Sequence, residues 1–64
     1  MVSNLKRIRE SKGFTQKELA EKSGINIRQI QHYEQGSLNI NHAWIETALK
    51  IADALEVDVR DILE

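Results

Sequence analysis

The 64-residue chain contains no cysteine and no proline, and only three glycines. Without cysteine no disulfide can staple the fold, and a chain this short hides only about 60% of the surface its unfolded form exposes. Stability must then come from one small core, built from the 41% of residues that are apolar. The lack of cysteine also fits a reducing compartment. No apolar run approaches the roughly 18 residues a membrane-spanning helix needs, and the opening MVSNLKRIRE has no apolar signal-peptide core. The expectation is a soluble, cytoplasmic protein made of one domain, residues 1–64, with no membrane partner.

Catalytic equipment is sparse as well. There is no glycine-rich phosphate loop, and the two histidines, His32 and His42, have no acid at metal-ligand spacing. No nucleophile–base pair stands out, and acids such as Glu18 and Asp61 are explained by helix capping. Neither an enzyme, a metal nor a cofactor is expected.

A net charge of −1 argues weakly against a nucleic-acid partner until it is divided along the chain. Residues 1–35 carry seven Lys or Arg (Lys6, Arg7, Arg9, Lys12, Lys17, Lys22 and Arg28) against four acids. Residues 36–64 carry two, Lys50 and Arg60, against six acids. One half is basic and the other acidic, and only the first suits an anionic partner.

A local signal recurs three times, in FTQKEL (14–19), INIRQI (25–30) and VDVRDI (57–62). Each has an apolar residue, a Thr, Asn or Asp, two more residues, an acid or Gln, then an apolar residue. Thr15, Asn26 and Asp58 are N-caps whose side chains accept an orphan backbone N–H. Glu18 and Gln29 can reach back to close a capping box, with Asp61 a shorter version. Phe14 and Leu19, Ile25 and Ile30, and Val57 and Ile62 sit at hydrophobic-staple spacing. Gly13, Gly24 and Gly36 each fall just past a periodic segment, where helices end at positive φ. Helices are therefore expected over residues 4–12, 15–23, 26–35, 43–55 and 58–63, an all-α fold. SLNIN (37–41) alternates like a strand but has no partner, and is expected to be a loop with Leu38 and Ile40 turned inward. In the fourth helix Ile45, Ala48, Leu49, Ala52 and Leu55 form the expected core stripe, with Trp44 at its margin.

Two helices joined only by SGIN form a helix-turn-helix, over about residues 15–35. TQKELAEKSGINIRQIQHYEQG resembles the phage-repressor, Cro-like (XRE-type) helix-turn-helix family. It carries that family's Thr15-Gln16 opening, Leu19-Ala20, Gly24, Ile30, and Glu34 with Gly36. LKRIRESKGF before it and LKIADALEVDVRDIL after it are similar to the family's first, fourth and fifth helices. SLNINHAW departs from the pattern, being longer and without the family's common basic residues. The resemblance implies a compact five-helix, lambda-repressor-like domain that binds double-stranded DNA through the major groove.

On a helical wheel at about 100° per residue, with Ile27 at 0°, Arg28, Gln31, His32 and Gln35 fall at ~100°, ~40°, ~140° and ~80°. Ile30, Tyr33 and Glu34 fall at about 300°, about 240° and about 340° on the same wheel. The third helix thus has one face that holds and one that reads. Arg28 suits guanine O6 and N7, and Gln31 suits adenine N6 and N7. Ile27, in the leading turn, either packs on a thymine methyl or is a half-buried residue at the turn. His32 suits a phosphate or a base edge.

For Gln16 the resemblance implies a phosphate contact that also braces the third helix; the plain alternative is a cap-region residue. Thr15 and the free N–H groups of the second helix's first turn also suit a phosphate, since a helix N-terminus attracts anions, with Lys17 beside them; Asn26 and Gln35 are further phosphate candidates. Lys6, Arg7 and Lys12 read as solvated charges. The resemblance also implies that Arg9 pairs with Glu34 and ties the first helix to the third.

The expected function is a small transcriptional regulator, a repressor acting as a homodimer on a palindromic operator, with Leu38 and Trp44 as candidate dimer contacts. The alternative is a protein-interaction module, such as an antitoxin, with another small protein as partner.

Overall fold

Four of the five α-helices begin at a side chain that accepts a backbone N–H from the first turn. In the computed structural model, which describes residues 2–64, the helices are α1 (Asn4–Ser11), α2 (Gln16–Ser23), α3 (Ile27–Gln35), α4 (Ile45–Leu55) and α5 (Val59–Ile62). No strand occurs among the described residues. The caps are Ser3, Thr15, Asn26 and Asp58, three of them legible as such in the sequence.

The three expected capping boxes are realised unequally. At α2 the box closes fully: Glu18 N–H donates to Thr15 Oγ1 at 3.0 Å, and Thr15 N–H donates to Glu18 Oε1 at 2.9 Å. At α3 it does not. Gln29 Nε2 turns instead to the Tyr33 hydroxyl at 3.0 Å, one turn along the helix. Asn26 Oδ1 caps alone, accepting from Arg28 N–H at 2.8 Å. At α5 Asp58 Oδ1 accepts from Arg60 N–H, and Asp61 makes no return bond among the described residues.

The α2 box gives a pH signature. The Glu18 carboxyl is held below its ordinary range, chiefly by the Thr15 N–H it accepts and then by the Thr15 side chain. A lowered folded-state pKa means its stabilisation is full above the ordinary glutamate range and lost as pH falls through the lowered value. Melting temperature should therefore decline on acidification, and Glu18→Gln should flatten the part of that decline due to this group.

Helix ends match two of the three glycine expectations closely. Gly24 and Gly36 cap α2 and α3 at φ 74° and 85°. A Cβ at Gly24 would meet nothing within 4 Å, so glycine is there for the left-handed backbone and not for space. The first helix ends at Ser11, with Lys12 as its right-handed cap before Gly13 at φ 79°.

The core joins all five helices: Leu5 of α1, Leu19 of α2, Ile30 and Tyr33 of α3, Ile51, Ala52 and Leu55 of α4, and Ile62 of α5, with Ile40 between. The staple partners Phe14, Ile25 and Val57 pack against it from the turns. α2 lies on α3 and α4, α4 on α5, and α1 on α3 and α5. Polar bonds tie the two ends of the chain together. Asn4 N–H donates to Glu64 Oε1 at 2.9 Å, and Asn4 Nδ2 donates to Leu63 O at 2.7 Å. Asn41 exchanges two bonds with the Glu64 backbone, through Oδ1 at 2.8 Å and Nδ2 at 3.0 Å.

Three expectations for the third quarter of the chain need correction. The fourth helix starts at Ile45, not 43, because Ala43 is extended at ψ 152°. A 3-10 turn, Ile40–His42, precedes it, seeded by Asn39 Oδ1 accepting from Asn41 N–H. Leu38 is not inward: it is 44% exposed, whereas Ile40 is 3% exposed. The chain reverses at Gly36, and Leu38 N–H bonds back to His32 O, so residues two apart do not share a face as they would in a strand. Finally, the α4 stripe keeps Ala48, Ala52 and Leu55 of the expected one but turns toward Ile51 and away from Ile45 and Leu49. Ala48, Ile51, Ala52 and Leu55 are buried, while Ile45 and Leu49 are 67% and 43% exposed. Trp44, the N-cap of α4, is 84% exposed.

Candidate nucleic-acid interface

The helix-turn-helix is built by α2, the turn through Gly24 and Ile25, and α3, opened by Asn26. Ile30 (0% exposed), Tyr33 and Glu34 are the buried residues of α3. Ile27, Arg28, His32 and Gln35 lie exposed on the other side, and Gln31 is half-buried at the boundary. The two faces expected from the wheel are both present. Among the described residues, no hydrogen bond or ion pair engages the side chains of Arg28, Gln31, His32 or Gln35, so their polar groups are free for a ligand.

α3 is held in place by a buried polar cluster. Arg9 Nε donates to Glu34 Oε2 at 2.7 Å, and Arg9 Nη2 donates to Glu34 Oε1 at 3.1 Å, a two-pronged pair between α1 and α3. Arg9 Nη1 donates to the Phe14 carbonyl at 2.6 Å. Gln16 Nε2 completes the set by donating to Glu34 Oε1 at 3.0 Å. Arg9 and Glu34 are each 8% exposed, and no side-chain polar atom among the described residues is buried without a partner. Hydrogen bonding to Glu34 raises the Arg9 pKa; burial opposes this and the Glu34 charge adds to it. The sign is that of a cation stabilised in the fold, so Arg9 stays charged at any working pH.

This cluster carries α1, the turn before α2, the start of α2 and the C-terminal half of α3. A buried charge is tolerable only when paired and hydrogen-bonded, and both conditions are met. The sequence pointed to Arg9, Glu34 and Gln16. The fourth member, the Phe14 carbonyl, is backbone and leaves no mark in residue type.

The N-terminus of α2 is partly spent on its own cap. The Thr15 and Glu18 amides are taken by the capping box, which also brings the Glu18 carboxylate close, so the free amides expected there are fewer. The Gln16 and Lys17 amides keep no acceptor among the described residues. Lys17 is exposed. Asn26 uses its Oδ1 as cap, which leaves its amide nitrogen as a donor. Other cations are committed elsewhere: Arg7 Nη2 donates to Asn4 Oδ1, and Lys22 Nζ sits 5.1 Å above the Phe14 ring. Among the described residues no cluster of His, Cys, Asp or Glu could hold a metal ion, and no helix is long and apolar enough to cross a membrane.

A helix-turn-helix family model matches residues 5–62, from the buried Leu5 of α1 to the buried Ile62 of α5. No curated protein and no solved structure matches the chain. A helix braced on its inner face by Arg9, Gln16 and Glu34, with uncommitted polar side chains on its outer face, agrees with a family match over nearly the whole chain: this is a member of the XRE-type helix-turn-helix family of DNA-binding regulators.

Proposed function

We propose that the chain is a sequence-specific repressor that binds a palindromic operator as a homodimer, with α3 in the major groove. The observation that carries this reading is the free outer face of α3: four polar side chains with no partner among the described residues, on a helix locked from behind. Arg28 reads guanine, Gln31 reads adenine, Ile27 packs on a thymine methyl and His32 reaches a base edge or a phosphate. Thr15, Gln16, Lys17, Asn26 and Gln35 contact phosphates. These contacts set the register on the duplex but carry no sequence information. Size favours two copies. The chain measures 25 × 23 × 21 Å, which is less than the roughly 34 Å between half-sites one helical turn apart.

Selection of bound duplexes from a random pool tests the reading. The expected outcome is a palindrome with guanine and thymine at matched positions of each half. On that site Arg28→Ala should cost about 1–3 kcal/mol and relax the choice at one base pair. Gln16→Ala should weaken binding on all sequences alike. Equal losses on every duplex for Arg28→Ala would sink direct readout.

A protein-interaction module is the second reading, favoured by the exposed Trp44 and the acidic residues 36–64. Salt separates the two, because phosphate contacts make affinity fall linearly in log[salt]. Absence of any salt-sensitive duplex binding at low ionic strength leaves the interaction module standing.

A further inference from the structure

The apolar surface of α4 is wider than the core it serves. With Ile45 taken as the origin of a wheel, Ile51, Leu55, Ala48 and Ala52 fall at about 240°, about 280°, about 300° and about 340°. All four are buried. Ile45 itself and Leu49, at about 40°, continue this arc past the edge of the core. With Trp44 immediately before them, they leave three large apolar side chains in the open. At about 200 Å² for a large side chain, these exposures amount to roughly 400 Å² of apolar surface, in the range of about 300–600 Å² for the largest patch on a typical single chain, which is often functional.

We propose that Trp44, Ile45 and Leu49 form the contact between two copies of the chain, with α4 packed antiparallel against α4 of the second copy about a two-fold axis. The proposal rests on the homodimer reading above and names its surface. Charge complementarity selects a second copy as the occupant. Glu46 and Lys50 lie beside the apolar arc, at about 100° and about 140° on the same wheel. They carry opposite charges on exposed side chains, and within one chain they make only an exposed i,i+4 pair at 3.2 Å. A two-fold contact places the same patch on both sides, so each copy's Glu46 comes within reach of the other's Lys50. A partner of one charge sign would meet repulsion from one of the two.

The size is also right. In an antiparallel crossing centred between Ile45 and Leu49, each Ile45 meets the second copy's Leu49, and Lys50 comes level with its Trp44 ring, a cation–π arrangement. The three side chains supply about half of the roughly 800 Å² per partner that a standard interface buries, the share of an apolar centre inside a polar rim. Leu38, the other candidate dimer contact, belongs to a different place: it lines a groove with Val2, Tyr33 and Asn41.

Trp44 is the sole tryptophan, so its emission reports on this face alone. Sedimentation equilibrium and tryptophan emission are measured against concentration, for the full chain and for Leu49→Glu, Ile45→Lys and Leu38→Glu. The expected result is a dimer whose formation blue-shifts Trp44 emission. Leu49→Glu and Ile45→Lys should each weaken it at least about 30-fold, as loss of an interface hot spot does. Thermal unfolding of the dilute, monomeric variants should match that of the dilute wild type, because both positions are exposed. Leu38→Glu should dimerise as the wild type does. Dimerisation with unchanged Trp44 emission, or dimerisation indifferent to Leu49→Glu and Ile45→Lys, overturns this surface and leaves the homodimer reading intact. A chain that stays monomeric at all concentrations, and binds two half-sites without cooperativity, overturns both.

Discussion

Replacing Glu34 with alanine lowers the unfolding free energy by about 3–5 kcal/mol, the cost of stranding one member of a buried ion pair. The substitution strips Arg9 of both carboxylate bonds and Gln16 of its acceptor, and leaves a guanidinium at 8% exposure with only the Phe14 carbonyl. For a domain of this length each kcal/mol is worth about 4–8 °C, so the melting temperature should fall by more than about 12 °C. Arg9→Ala should cost a similar amount. The double replacement Arg9→Met with Glu34→Leu should recover much of the loss, because the desolvation of two charges disappears with them. Thermal unfolding of the three variants checks this. A loss below about 1 kcal/mol for Glu34→Ala would make the pair no stronger than an exposed one.

Ile30→Ala is the second large effect, at about 2–5 kcal/mol, and its neighbour three positions earlier supplies the control. Ile30 is 0% exposed and sits in the core with Leu19 and Leu55, whereas Ile27 is 36% exposed on the outer side of the same helix. Ile27→Ala removes the same atoms but should cost less than about 1 kcal/mol, since less surface leaves water there. The functional order reverses. At a temperature where both variants are folded, Ile27→Ala should lose preference for thymine at one operator position, and Ile30→Ala should bind with unchanged preference. Urea unfolding together with duplex competition gives both measurements. Equal stability losses at the two positions would mean that the helix does not have the two faces assigned to it.

What was legible in the sequence was mostly local. A cap needs one side chain and the next three residues, so Thr15, Asn26 and Asp58 could be found without the rest of the chain. Glycine at φ 74° and 85° is a property of single residues, and Gly24 and Gly36 ended their helices where expected. The faces of α3 also followed from periodicity, because Ile30 and Tyr33 fall on one arc and Arg28, Gln31, His32 and Gln35 on another. α4 is the counterexample. Ile45, Ala48, Leu49, Ala52 and Leu55 fit 3-4 spacing, and so do Ala48, Ile51, Ala52 and Leu55. Spacing cannot choose between overlapping arcs; the positions of α2 and α5 decide, and those are tertiary. Gln29 was lost for a related reason, since the Asn26 N–H, a donor, and the Tyr33 hydroxyl, an acceptor, are alternative partners for one flexible amide side chain. In the candidate site, the ion pair and the outward residues were legible. The donation from Arg9 to the Phe14 carbonyl was not, and neither was the competition of the Thr15 box for amides that a phosphate would use.

The bonds from Asn4 to Leu63 and Glu64 close the succession of helices into a ring. Ser3 already serves Lys6 N–H, and the amide of Asn4 finds its acceptor within the protein in Glu64, 60 positions away. Closing so long a loop adds little entropy beyond a shorter one, because the cost grows only with the logarithm of length. It does fasten the first turn of α1 to the residues that follow α5. Since α1 also supplies Arg9, the brace on α3 hangs from a helix whose own first turn is fastened at the far end of the chain.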